Sequence, residues 1–258
     1  MLIRREIRLN LKGFLVCTLI CSALCLYAIA LIPSMGADIQ EILDLKMPKQ
    51  LQLAFGMKNL DFHSPMGVFG IMFSYIYLTY GIYAAGMFSR IVSKEFSEKT
   101  AEYLFSLPQT RLWIILQKMG VAVGYLTASV ALNFLTNWLG FAMIIRVDAS
   151  VTTLLVMSAS HWLGAMFFGA VAFLLSAFYI RSRLAVGLVL GAYLLQVVIS
   201  LKEEFHSLRY LSPFDWFKGN DIVNGQGIPW ECVVIALVGM ALGFVLGARR
   251  YLRMDVLV

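Results

Sequence analysis

Apolar residues gather in six long runs, near 14–32, 66–88, 112–136, 152–178, 184–201 and 229–248, with polar or charged stretches between them. A helix of roughly 20 apolar residues spans the ~30 Å hydrocarbon core of a bilayer. The runs lack the short alternation of barrel strands, and an open sheet edge is not viable in lipid, so they are read as helices. The first run is too long for the core of a signal peptide, so it too counts as a membrane helix. The pattern predicts an all-α integral membrane protein: one transmembrane domain over 1–258 with six spanning helices.

Composition agrees. The chain is 60% hydrophobic and only 14% charged, with a mean hydropathy of +0.79, whereas soluble domains carry about 25% charged residues. Charge then sets an expected orientation. With the N-terminus cytoplasmic, 14 of the 21 Lys and Arg fall inside and 7 outside, while the 15 acidic residues split 5 inside and 10 outside. That bias predicts both termini on the cytoplasmic side. The net charge of +6 is thus a topology signal; the basic residues sit at helix ends, not on one face, which argues against nucleic acid as a partner.

Two segments are amphipathic. Residues 2–12 repeat Ile3, Ile7 and Leu11 beside Arg4, Arg5, Arg8 and Lys12. They read either as an interfacial helix among phospholipid headgroups or as a basic flank that fixes topology. Residues 89–118 are the more specific. Ile91, Val92, Phe96, Tyr103, Leu104 and Leu107 supply an apolar face; Arg90, Lys94, Glu95, Glu98, Lys99 and Glu102 supply a polar one; Pro108 ends the helix. Between the fifth and sixth runs, residues 202–228 hold the aromatic cluster Phe214, Trp216 and Phe217, suited to the headgroup level or to a re-entrant hairpin.

Inside the apolar runs, polar side chains are costly and so informative. Tyr77, Tyr80 and Tyr83, Asn133 and Asn137, His161 and Gln196 read either as a polar translocation path or as inter-helix hydrogen bonding. No carboxylate, Lys or Arg is expected to be buried among the helices, which argues against a proton- or sodium-coupled transporter. Cys17, Cys21 and Cys25 share one helical stripe and read as a small-residue packing face; Cys232 stands alone. Gly239, Gly243 and Gly247, Gly187 and Gly191, and Gly120 and Gly124 predict close helix packing, within one chain or between chains.

Catalytic signatures are missing. There is no phosphate-loop motif, no His-Glu-x-x-His and no Cys-x-x-Cys. Glu203-Glu204 with Arg209 resembles the paired-glutamate pattern of an intramembrane protease family, but the Arg lies one position too far along. Ser160 and His161 are adjacent, and helical neighbours point about 100° apart, so they do not form a nucleophile–base pair. No metal site is expected.

The run Glu95-x-x-Glu98-Lys99-Thr100-x-Glu102-x-Leu104-x-x-Leu107-Pro108-x-x-Arg111, directly after the second apolar run, resembles the cytoplasmic coupling segment of type-2 ATP-binding-cassette (ABC) exporter permeases. The family form has Gly before the Thr, where this chain has Lys99. The resemblance extends over the basic N-terminus, the six runs, Leu211-Ser212-Pro213-Phe214 and the basic tail Arg249-Arg250-Tyr251-Leu252-Arg253. It implies a permease subunit in a prokaryotic cell membrane, with an interfacial N-terminal helix and a coupling helix between membrane helices 2 and 3. It also implies a separate ATPase subunit that binds ATP and Mg²⁺, a second permease copy or a similar permease, and no cofactor on this chain. Glu95, Glu98, Thr100, Glu102, Leu104, Pro108 and Arg111 then form the coupling element. A different reading, a non-transport scaffold or assembly factor, is separated from this one by whether a phosphate-loop ATPase is encoded alongside.

Overall fold

A computed structural model describes residues 2–34, 64–98, 100, 108–147, 149–179, 182–201, 210 and 212–254. Six long helices carry the chain back and forth: α1 (Leu2–Leu31), α2 (Pro65–Ser97), α3 (Arg111–Gly140), α4 (Val151–Tyr179), α5 (Ser182–Leu201) and α8 (Trp230–Leu252). Two short ones, α6 (Pro213–Trp216) and α7 (Gly219–Val223), lie between α5 and α8. No strand occurs among the described residues. All six long helices are long and apolar enough to cross a membrane.

The helix ends follow local chemistry. The Ser64 hydroxyl accepts from the Gly67 N–H at 2.9 Å, and Pro65 takes the first helical position of α2, where its missing donor costs nothing. Thr110 caps α3 likewise, accepting from the Trp113 N–H at 3.3 Å. A π-helical turn, Phe141–Ile145, prolongs α3 until Arg146 turns left-handed at φ 59°.

Helices α2 and α4 form the centre. In each, 56% of the apolar window is buried, against 17% in α5 and 22% in α8. Helices α5 and α8 pack on this pair, and α1 packs against α2 and α3. Leu19, Leu116, Leu132, Leu194, Val238 and Leu242 are exposed on the outside of the bundle. Such a surface is a liability in water and the ordinary surface of a chain whose solvent is lipid.

Three expectations change in detail. Residues 2–12 are not a separate interfacial helix. Nothing in the sequence breaks the helix before the first apolar run, so they form the opening turns of α1, with Ile3, Ile7 and Leu11 outward and Leu2 and Glu6 inward. Helix α2 does not stop near 88 but runs on to Ser97, so the first third of segment 89–118 prolongs a membrane helix. Residues 99 and 101–107 lie outside the described residues. Of the two readings of the aromatic cluster between α5 and α8, the headgroup one gives way: the cluster is buried in the bundle. Phe214, Trp216 and Phe217 are enclosed, and the Phe214 ring lies 4.8 Å from that of Tyr77 and 4.9 Å from that of Phe168. Tyr77 is twelve residues into α2, roughly 18 Å along its axis. Helices α6 and α7 therefore pack into the bundle well along α2, where the Tyr77 hydroxyl donates to the Pro213 carbonyl at 3.1 Å.

The glycines divide by role. Gly239, Gly243 and Gly247 of α8 lie against Phe167, Ala170 and Phe173 of α4, so this triplet is an intrachain seam. Gly120, Gly124, Gly187 and Gly191 face open space in the single chain. A Cβ on Gly164 would overlap the Tyr77 ring and hydroxyl. Gly164→Ala is therefore expected to cost about 1–3 kcal/mol by overpacking, while Gly187→Ala leaves stability unchanged or slightly raised. Equilibrium unfolding in mixed micelles checks the pair; equal stabilities would refute the assigned packing.

Candidate functional site

Helices α1 and α3 begin, and α2 and α8 end, at the same end of the bundle. Three charged side chains meet there inside the protein. Glu6 comes from α1, Glu95 from the last turn of α2, and Lys118 from the second turn of α3. They are 8%, 4% and 3% exposed. The Lys118 ammonium pairs with the Glu95 carboxylate, donates to the Ile91 carbonyl at 3.3 Å, and lies 3.9 Å from Glu6 Oε1. A buried charge is tolerated only when paired and hydrogen-bonded. Lys118 meets that condition between its carboxylate and its carbonyl. Glu6 meets it less well, since its Oε1 is buried without a hydrogen-bond partner.

The cluster corrects the expectation that no carboxylate, Lys or Arg is buried. It also reassigns Glu95, read from the sequence as part of an outward polar face. Glu95 turns inward and fastens the end of α2 to α3. A signal for Lys118 was present: it is a lone cation inside the apolar run 112–136. Glu6 was likewise the sole acid among the cations of 2–12.

The other residues of the predicted coupling element fall as follows. Glu98 is exposed, and its N–H closes α2 on the Lys94 carbonyl at 2.9 Å. The Thr100 N–H returns to the Glu95 carbonyl at 2.9 Å. Pro108 is exposed just before α3. The Arg111 guanidinium donates to the Met254 carbonyl at 2.8 Å, tying the start of α3 to the segment after α8. Glu102 and Leu104 lie outside the described residues.

A small cleft, open to the exterior, adjoins the charge cluster and is lined by Glu6, Asn10, Arg90, Lys94 and Lys118 among others. Arg90 and Lys94 stand one turn apart on α2 and make no ion pair among the described residues.

The polar residues deeper in the bundle separate into two groups. Tyr80, Asn133 and Asn137 come together at the α1–α2–α3 seam. The Tyr80 hydroxyl donates to the Ser129 carbonyl at 3.2 Å, Asn133 Nδ2 to Cys25 Sγ at 3.4 Å, and Asn137 Nδ2 to Asn133 Oδ1 at 3.2 Å. Thr18 and Ser129 share a hydrogen bond of 2.7 Å alongside them. Tyr83 is half-buried on the same side of α2. Cys17, Cys21 and Cys25 are buried free thiols on this seam, as a packing face requires. His161 stands on α4, stacked on Phe73 at 4.3 Å and bonded to the Phe73 carbonyl at 3.1 Å. Gln196 on α5 joins neither group. Ser160 donates to the Val156 carbonyl at 2.7 Å and does not engage His161. No three metal-ligating residues converge among the described residues.

No curated protein matches the chain significantly. The family model described as ABC-2 family transporter protein matches residues 4–256. Six lipid-facing helices, a fastened charged end to α2 and a match over nearly the whole sequence agree, and the chain belongs to the ABC-2 transporter family.

Proposed function

We propose that this chain is the permease subunit of an ABC exporter, moving substrate across the cell membrane with ATP hydrolysed, with Mg²⁺, on a separate subunit. The observation that carries the reading is the family match over residues 4–256. The charge cluster supports it physically. A helix that is to transmit force from a partner has to be fixed to the bundle. Glu95 and Lys118 fix the end of α2 to α3 just before the rest of the charged segment in the sequence.

In this reading both termini are cytoplasmic. Glu98, Thr100, Glu102, Leu104, Pro108 and Arg111 form or support the surface that meets the ATPase, and Glu95 anchors it from within. Two permease chains assemble over two ATPase subunits, and closure of the ATPase pair shifts the bundles between inward-open and outward-open arrangements. The polar seam of Tyr80, Tyr83, Asn133 and Asn137, with His161 beside Tyr80 and with Gln196 apart on α5, supplies the hydrogen-bonding groups available to line a path.

Co-purification with an ATPase followed by substrate-stimulated hydrolysis tests the reading, and the complex should hold two permease chains. One permease beside one ATPase refutes the pairing; no ATPase at all refutes the function. Orientation is checked separately by Lys46→Cys and Glu98→Cys. The native cysteines among the described residues are buried, so background labelling is low. Position 46 should label from outside and position 98 only from the cytoplasm; the reverse pattern refutes the topology.

A further inference from the structure

The cluster of Glu6, Glu95 and Lys118 carries two carboxylates and one ammonium. Lys118 is committed to Glu95 and the Ile91 carbonyl. Glu6 Oε1 is left buried, with no donor and with its nearest cation at 3.9 Å. A buried carboxylate in that position calls for a donor carrying positive charge. Glu6 lines the cleft, which has room for about one water-sized group. On the same cleft stand Arg90 and Lys94, cations without an acidic partner among the described residues. The cleft thus brings together a carboxylate short of a donor and two cations short of an anion.

Its depth identifies what carries both. At 30 residues α1 is about 45 Å long, well beyond a ~30 Å hydrocarbon core. Its apolar part lies after residue 13, so the turns bearing Glu6 stand at headgroup level. We propose that this cleft binds the headgroup of a phospholipid with a primary ammonium, the ammonium donating to Glu6 and the phosphate lying between Arg90 and Lys94. Phosphatidylethanolamine has that chemistry. A trimethylated headgroup lacks the N–H donors and is too large for so small a space. Phosphatidylglycerol satisfies Arg90 and Lys94 and leaves Glu6 with only its 3.9 Å contact to Lys118.

The test is native mass spectrometry of the full chain titrated with dioleoyl lipids bearing ethanolamine, N-methylethanolamine, N,N-dimethylethanolamine, choline or glycerol headgroups. The ethanolamine lipid should bind about tenfold more tightly than the choline and glycerol lipids, the discrimination that one buried charge-assisted hydrogen bond supplies. Affinity should fall stepwise with methylation. Glu6→Gln should abolish the preference, and Arg90→Gln with Lys94→Gln should weaken all the lipids together. Equal affinities, tighter binding of the glycerol lipid, or a preference that survives Glu6→Gln would each overturn the proposal. The headgroup series on the unaltered chain decides the matter even where a variant does not fold.

Discussion

Lys118→Met is expected to destabilise the folded chain by about 3–5 kcal/mol, the cost of breaking a buried ion pair from one side. The ammonium is 3% exposed. Its removal leaves the buried Glu95 and Glu6 carboxylates without their shared cation, and it strips the Ile91 carbonyl of a donor. The damage is in the uncompensated charge, not in lost attraction. Hence Glu6→Gln with Glu95→Gln, added to Lys118→Met, should restore most of the stability. Equilibrium unfolding in mixed micelles reads the single, double and triple variants. A Lys118→Met chain within about 0.5 kcal/mol of the parent, as for an ordinary surface change, would refute the buried cluster.

Reversing Glu98 and Glu102 to Lys together is expected to leave folding and insertion intact while abolishing most coupled transport. Glu98 is exposed at the end of α2 and makes no ion pair among the described residues, so its reversal breaks nothing inside the chain. The end of the bundle that carries both termini becomes more basic, which reinforces the expected orientation. At an interface with an ATPase, loss of a desolvated charge pair costs about 2–5 kcal/mol, enough to weaken assembly or to uncouple hydrolysis from transport. The measurement is ATPase co-purification and substrate-stimulated hydrolysis in the double variant. A normally assembled and fully coupled complex would show that the segment following α2 does not transmit the drive. Contrast with Lys118→Met is informative: the first fails by unfolding, the second with the bundle intact.

Much of this was legible along the chain because lipid imposes a coarse rule. Each span needs about 20 apolar residues and satisfies its own backbone, so all six long helices were visible as runs. The stripe of Cys17, Cys21 and Cys25 read correctly as packing because helical periodicity alone puts the three on one face. The glycine triplet of α8 read as a close contact for the same reason.

Periodicity places residues on faces but does not say what each face meets. The Gly239, Gly243 and Gly247 seam packs within the chain, while Gly187 and Gly191 face outward, although the spacing is alike. Phe214, Trp216 and Phe217 read either as headgroup anchors or as part of a re-entrant hairpin, and only the packing of α6 against the bundle puts Phe214 against Tyr77 and Phe168. Glu95 falls in a row of charges that reads as one polar face. Only the meeting of α1, α2 and α3 turns it inward, toward a lysine 23 residues away on another helix. The sequence by itself determined the solvent of this protein, the number of its spanning helices and its family resemblance, since these depend on hydropathy and local order along the chain. The tertiary structure alone decided which charges are buried and which are free, since a buried ion pair is made by residues that no local pattern connects.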